Sequence, residues 1–223
     1  AIVKGSVVAN DPGWGFVNHS SHVVFEDNVA YNVTGSAFAT EDGNEVGAMR
    51  RNLAIRTSGS GEFGVGRPNH DWGHAGHGFW LQGPGVEMVD NISAGNGHAS
   101  FAMILASTKN LFEAVNLDDP SLAAGHDAIP VESVPLAQFS GNVAFAATRG
   151  LEIWYHNLNM PDGHAVIDDF TSWGMRIGGI WAPYSGQLTI RNSKLLGNLD
   201  NPTGTAIQGN EFTHDMRYEN LWI

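Results

Sequence analysis

The sequence contains no cysteine, which excludes disulfides, thiolate-bound zinc and a thiol nucleophile. Charge is scarce as well. Asp, Glu, Lys and Arg make up 15% of the 223 residues, where about 25% is usual. The 23 acidic residues outnumber the 11 basic ones, for a formal net charge of −12. Such a field repels nucleic acid and anionic membrane, so neither is an expected partner. A polyanion is repelled in the same way unless a local basic patch or a bound cation intervenes. No apolar run approaches the length of a membrane span, and no membrane insertion is expected.

What the chain has in quantity is glycine, 28 residues, and an apolar fraction of 42%. Frequent turns around a continuous core favour repetitive β architecture over a helix bundle. A repeat is visible in VVFEDNVAYNVTG from Val23, GAMRRNLAIRTSG from Gly47 and VEMVDNISAGNG from Val86. LAQFSGNVAFAATRG from Leu136, AVIDDFTSWG from Ala165 and QLTIRNSKLLGN from Gln187 continue it. Each segment has alternating apolar positions, then a recurring site, a small or apolar pair, and a turn. Asn28, Asn52, Asn91 and Asn142 fill the recurring site, followed by Phe170 and Ser193, at gaps of 24, 39, 51, 28 and 23 residues. One coil of roughly 22–28 residues, sometimes enlarged by a loop, accounts for these gaps.

A second repeated strand follows each turn: SAFAT at Ser36, HGFWLQ at His77, ASFAMIL at Ala99, GLEIWYH at Gly150 and GGIWAP at Gly178. Aromatic and aliphatic residues alternate with others in these segments, as in a sheet with one face buried. The expected fold is therefore all-β: a right-handed parallel β-helix with inserted loops, one domain over residues 1–223. In that fold the repeated Asn side chains ladder from coil to coil.

Stretches 57–77, 106–134, 156–164 and 198–214 do not fit the repeat and read as loops leaving the coil edges. Insertions in solenoids collect on one face, often the binding face. MRYENLWI at the C-terminus reads as the start of another coil with no cap after it. The chain is therefore expected to be an excerpt, covalently continuous with further domains.

AYNVTGSAFATEDGNE and RRNLAIRTSGSG resemble the β-helix of the cell-migration-inducing and transmembrane hyaluronidase family. GFWLQGPGVEMVDNISAGNGHASFAMI, PLAQFSGNVAFAATRGLEIW and AVIDDFTSWGMRIGGIW continue the likeness in order, from about His22 to about Asn198. The T-E-D-G-x-E element (Thr40, Glu41, Asp42, Gly43, Glu45) is its most specific part. The resemblance implies a β-helix, a secreted or cell-surface setting and, as in the animal members, hyaluronan binding or depolymerisation.

Four constellations carry candidate chemistry. Glu41, Asp42 and Glu45 fall at a strand end, where clustered carboxylates suit Ca²⁺ or hold a raised pKa for acid or base work. A solvated acidic turn is the alternative. His70, Asp71, His74 and His77 offer three imidazoles and a carboxylate to zinc or copper. Gly73, Gly76 and Gly78 argue against the helical pairing of histidines used by metalloproteases. The same stretch also reads as a general base, His74 or His77, with Trp72 or Trp80 as a sugar-stacking platform. A polar loop packed over the coil by Trp72 is the remaining alternative there. Arg50, Arg51, Arg56 and Arg67 form a basic cluster suited to a uronate, or to charge balance with Glu41, Asp42, Glu45 and Glu62. Glu152, Trp154, Tyr155 and His156, with Trp173, Arg176 and Trp181 on the following coil, have the composition of a sugar site. Alternation places Glu152 and Trp154 on the outer face.

The expected function is extracellular binding, with depolymerisation as an added activity, of a glycosaminoglycan or other uronate-containing polysaccharide. Hydrolysis would pair Glu41 or Asp42 with Glu152. Elimination would use His74 or His77 as the base while Arg51 neutralises the uronate. The alternative is a non-catalytic structural or adhesive solenoid of a larger surface protein. Exposed aromatics along one groove favour the sugar reading, and a long apolar edge favours the structural one.

Overall fold

The computed structural model describes residues 1–59, 72–105, 114–116, 121, 128–158, 163–198, 200, 204–210 and 212–223. Three parallel sheets hold nearly all of its strands, numbered here in chain order. Sheet A runs β1 (Ile2–Lys4), β4 (His22–Glu26), β7 (Val46–Arg50), β10 (Val86–Val89), β15 (Phe139–Ser140), β18 (Ala165–Asp168), β21 (Gly186–Arg191) and β24 (His214–Glu219). Sheet B runs β2 (Val7–Ala9), β5 (Val29–Tyr31), β8 (Leu53–Ile55), β11 (Ile92–Ala94), β16 (Val143–Phe145), β19 (Thr171–Trp173) and β22 (Lys194–Leu196). Sheet C runs β3 (Phe16–Asn18), β6 (Phe38–Thr40), β9 (Phe79–Leu81), β12 (Phe101–Ile104), β17 (Arg149–Trp154), β20 (Gly178–Ala182) and β23 (Thr205–Gly209). The chain visits A, B and C in turn and stacks each visit on the one before. That is a parallel β-helix, as the repeat predicts.

The segments that look continuous in the sequence are split over two sheets. Between A and B every coil bends at one left-handed residue: Gly5, Asp27, Arg51, Asp90, Gly141, Asp169, Asn192 and Asn220, with φ from 47° to 67°. Outside glycine this conformation costs roughly 1–2 kcal/mol. The next residue stabilises the bend. Asn28 Nδ2 donates to Asn52 Oδ1 at 3.1 Å, Asn52 to Asn91 at 3.1 Å, and Asn91 to Asn142 at 3.1 Å. Each of those acceptor oxygens also takes the neighbouring backbone N–H, at 3.0 Å in all three cases. The expected Asn ladder is present and lies buried.

The core has a second ladder. Phe16, Phe38, Phe79 and Phe101 stack ring on ring at 4.9, 4.8 and 4.9 Å, tilted by 10°, 9° and 9°. Phe170 stands where earlier coils have Asn and turns inward instead, 5.7 Å from Phe139 and 6.0 Å from Phe101. Sheet B presents small residues to the interior, among them Ala30, Ala54, Ser93, Ala144 and Ser172, and these leave room for the rings. Its outer face is apolar, with Val7, Tyr31, Ile92, Phe145, Trp173 and Leu196 exposed.

Two expectations about coil boundaries change. The repeat begins with a whole coil before Val23, formed by β1, β2 and β3. Stretch 198–214, read as a loop, contains β23, which pairs in parallel with β20. Within 106–134, β13 (Ala114–Val115) and β14 (Ile129–Pro130) form a small antiparallel pair. Among the described residues no helix is long and apolar enough to cross a membrane.

Candidate functional site

The acidic turn after β6 is held from within. The buried Glu45 carboxylate accepts backbone N–H bonds from Glu41 at 2.9 Å, Asp42 at 2.6 Å, Gly43 at 2.8 Å and Ser20 at 3.3 Å. Burial pushes its pKa up, against the lowering effect of backbone hydrogen bonds. Both oxygens are engaged by the backbone, so Glu45 anchors the turn. The expectation of a metal ligand there is corrected. Glu41 and Asp42 point outward instead. His19, one coil earlier, places Nδ1 2.9 Å from Glu41 and Nε2 3.5 Å from Asp42, whose carboxylate also accepts the Ser20 hydroxyl. The bond to Glu41 raises the His19 pKa despite partial desolvation. Among the described residues no group of three His, Asp or Glu is arranged to hold a metal ion.

Of the histidine stretch, His74 and His77 are described, and their surroundings differ. His70 and Asp71 lie outside the described residues, as does the Trp72 side chain. His74 packs on the Trp14 ring at 5.0 Å. His77 is fully buried, and burial, with the His98 ring beside it, holds its pKa well below 6.5. Its ring meets His98 edge-on at 4.7 Å. A buried neutral imidazole has no access to a glycan, which corrects its expected role as base. Trp80 is no platform either. It is 0% exposed in a second apolar cluster with Ala39, Ala99, Ala102 and Ile104, and Trp14 packs against that cluster.

Arg50, Arg51 and Arg56 are committed. Arg50 pairs with Glu87, and Arg51 pairs with Asp27 at 2.8 Å and Glu26 at 3.0 Å. Arg56 donates to the Tyr31 hydroxyl at 3.2 Å. Arg67 lies outside the described residues. Arg50 and Arg51 are in charge balance, with partners one coil away rather than at the expected nearby acids.

The last constellation is partly assembled. Glu152, expected on the surface, is 2% exposed and bound to Arg149 at 2.8 Å. The Arg149 guanidinium lies over the Trp181 ring at 4.1 Å, and Trp181 meets Trp154 edge-on at 4.7 Å. Removing either member of the pair leaves a buried uncompensated charge. From the β6 row to the β17 row is three strand spacings, about 14 Å at roughly 4.8 Å each. Two carboxylates working across a glycosidic bond lie at most about 9.5 Å apart. The pairing of Glu41 or Asp42 with Glu152 is excluded by that separation. His156 is also interior: burial lowers its pKa to about 4, and its Nδ1 lies 3.0 Å from Gly186 O. Trp173 stands on sheet B, away from this group, and Arg176 braces the coils by donating to Gly97 O at 2.8 Å and Thr148 Oγ1 at 2.6 Å.

What the structure adds is a row of rings at the corner that follows sheet C. Tyr155, Tyr184 and Phe212 occupy this corner in three successive coils, each left-handed with φ of 64°, 51° and 59°. Tyr155 and Tyr184 are near-parallel at 5.5 Å, and Tyr184 and Phe212 at 6.1 Å. Trp154 closes the inner side, 5.9 Å from Tyr155 and 6.3 Å from Tyr184. Tyr184 is 36% exposed and Phe212 79%. The result is an aromatic ledge along the helix axis. Phe212 was missed in the sequence because 198–214 was read as a loop, and Tyr184 because it falls between two repeat segments.

Similar proteins agree with the architecture. Fibrocystin-L from Homo sapiens is 25% identical over 194 residues, which is 82% of this chain and 4% of that protein. Fibrocystin-L from Mus musculus is 26% identical over 209 residues, 89% of this chain and again 4% of the relative. The chain thus spans a small part of the length of the curated relatives it matches. Residues 14–151, more than half of the sequence and including the acidic turn, the Asn ladder and the phenylalanine stack, match the family described as CEMIP beta-helix, and the chain belongs to that family.

Proposed function

We propose that this chain is an extracellular polysaccharide-binding module of a larger surface protein, and that a glycan strand lies along the aromatic ledge. The observation that carries this reading is the row Tyr155, Tyr184 and Phe212 beside Trp154, partly open to solvent over three coils. Aromatic rings give a sugar large contact area at low entropic cost, and a row along the solenoid axis suits a linear polymer. Chain cleavage lacks matching support. The candidate carboxylates stand too far apart, His77 is buried, and Arg51 is paired with Asp27. Affinity electrophoresis in gels containing hyaluronan, chondroitin, pectin, alginate or neutral glucans tests binding. Retardation by at least one polymer supports the reading, and free migration in all of them overturns it. Chain-length analysis of the same polymers after incubation tests cleavage, and no shortening is expected.

One observation favours a second reading, a structural module. The outer face of sheet B is largely apolar, with Val7, Tyr31, Ile92, Phe145, Trp173 and Leu196 exposed and Lys194 at its last strand. A protein partner seated there would make the solenoid a spacer. In that case Phe145→Lys abolishes partner capture and leaves glycan retardation untouched.

A further inference from the structure

We infer that the ledge takes an uncharged polysaccharide and discriminates against polyanions such as hyaluronan. This inference rests on the glycan-binding reading above and goes further by naming the substrate class. A uronate chain needs unpaired cations along its path, because each carboxylate it brings must be neutralised. Among the described residues, the arginines nearest the ledge in the coils that carry it are committed elsewhere. Arg149 is 16% exposed, bonded to Glu152 and stacked on Trp181. Arg176 donates to Gly97 O and Thr148, and Arg191 pairs with Asp168 at 2.8 Å. Lys194 lies on sheet B and Arg217 on sheet A. On the C-terminal side of Phe212 stands Asp215, 46% exposed and bound to His164, and Glu211 before it lies outside the described residues. Among the described residues a polyanion at the ledge therefore meets rings, hydroxyls and the Asp215 carboxylate, within a molecule whose net charge is −12. That field adds repulsion at every approach. An uncharged chain avoids this cost and retains the full stacking contact. The tyrosine hydroxyls then serve as the hydrogen-bond partners a sugar ring needs at its rim.

The test is affinity electrophoresis and titration calorimetry on the whole chain at neutral pH, at low and at high salt. One set of ligands is a β-glucan, a galactomannan and a soluble chitin oligomer, and the other is hyaluronan, chondroitin and polygalacturonate. Tyr184→Asn and Phe212→Asn are the variants, because Asn tolerates the left-handed backbone at both positions. Phe145→Ala on sheet B is the control. The expected result is binding of at least one neutral polymer with little dependence on salt, as befits an uncharged ligand. Each ledge variant weakens it by about tenfold, the loss of one ring contact, and the control leaves it unchanged. Binding of polyanions alone, fading with salt, overturns this inference and leaves the glycan-binding reading standing. Neutral binding that survives both ledge variants overturns the assignment to the ledge. No binding of any polymer removes both.

Discussion

Asn91→Ala tests the ladder that holds the coil bends. The Asn91 side chain makes four hydrogen bonds. Its Nδ2 donates to Met49 O at 2.7 Å and to Asn142 Oδ1 at 3.1 Å. Its Oδ1 accepts from the Asn52 backbone N–H at 3.0 Å and from Asn52 Nδ2 at 3.1 Å. Alanine removes all four in a site that excludes water and leaves the Asn52 amide and Met49 carbonyl short of a partner. At a net of about 1 kcal/mol per bond, with about 1–3 kcal/mol for an orphaned buried group, the expected loss is about 4 kcal/mol. For a chain of this length that corresponds to a fall in Tm of roughly 8–16 °C. Asn91→Ser should lose about half as much. Serine already fills this site in a later coil, where Ser193 Oγ accepts from Phe170 N at 3.1 Å and donates to Arg191 O at 2.7 Å. Asn32→Ala is the control, since its side-chain bond to Asn10, at 2.8 Å, lies in solvent. Thermal unfolding by circular dichroism measures all three, and hydrogen exchange at the Asn52 amide reads the bend locally, which matters because solenoid coils can open one at a time. A loss under about 1 kcal/mol for Asn91→Ala, or one equal to the control, would refute the argument that the ladder stabilises the left-handed bends.

Three further outcomes follow from the same geometry. Glu45→Gln places an amide NH₂ among backbone N–H donors, and denaturant titration should show a loss of about 2–3 kcal/mol; a value within experimental error of the parent would mean the turn does not depend on its anchor. Gly47→Ala should fail to accumulate as folded protein, because φ is +125° and the added Cβ would lie 2.0 Å from Val23 O; a soluble variant with the parent's circular dichroism spectrum would contradict this. His77 and His156 are held neutral by burial, His156 with a pKa of about 4, while in the unfolded chain both return to 6.5. The unfolded state therefore takes up protons that the folded state refuses. Stability is full above about pH 6.5 and falls as pH drops toward 4, by up to about 1.4 kcal/mol per pH unit for each residue. His156→Gln should shallow that slope between pH 6 and 4 by up to half, and an unchanged slope in urea titrations across this range would show that His156 does not titrate on unfolding.

The coil was legible because its signals repeat: an alternating apolar segment, an Asn, and an aromatic strand, recurring at intervals that only loops disturb. The bend inside the first segment was not, because the left-handed site before the ladder is filled by Gly, Asp, Arg or Asn and has no fixed residue type. The first coil escaped notice for a related reason. Ser6 replaces Asn there, yet its N–H still bonds Asn28 Oδ1 at 2.9 Å, so the ladder continues without its sequence mark.

The candidate site was read less well, and the errors share a physical cause. Charge alone suggests exposure, but Glu45 and Glu152 are both interior. Glu45 is satisfied by backbone N–H groups, which every residue carries and no sequence pattern reveals. Glu152 is satisfied by Arg149, three residues away in the same strand. The arginine cluster was compared with acids nearby in the chain, whereas in a solenoid the neighbour of a residue lies one coil away. Setting the coils in register places Glu26 opposite Arg50 and Val89 opposite Arg50 on the other side. That alignment puts Asp27 beside Arg51 and turns an apparent basic patch into balanced rows. The same alignment places Tyr155, Tyr184 and Phe212 at one corner, which linear reading scatters over a strand end, a turn and a loop. For a stacked coil, function is therefore read across coils, in the columns of the register. Read so, this chain displays a ledge of rings where its linear sequence had suggested a patch of charge.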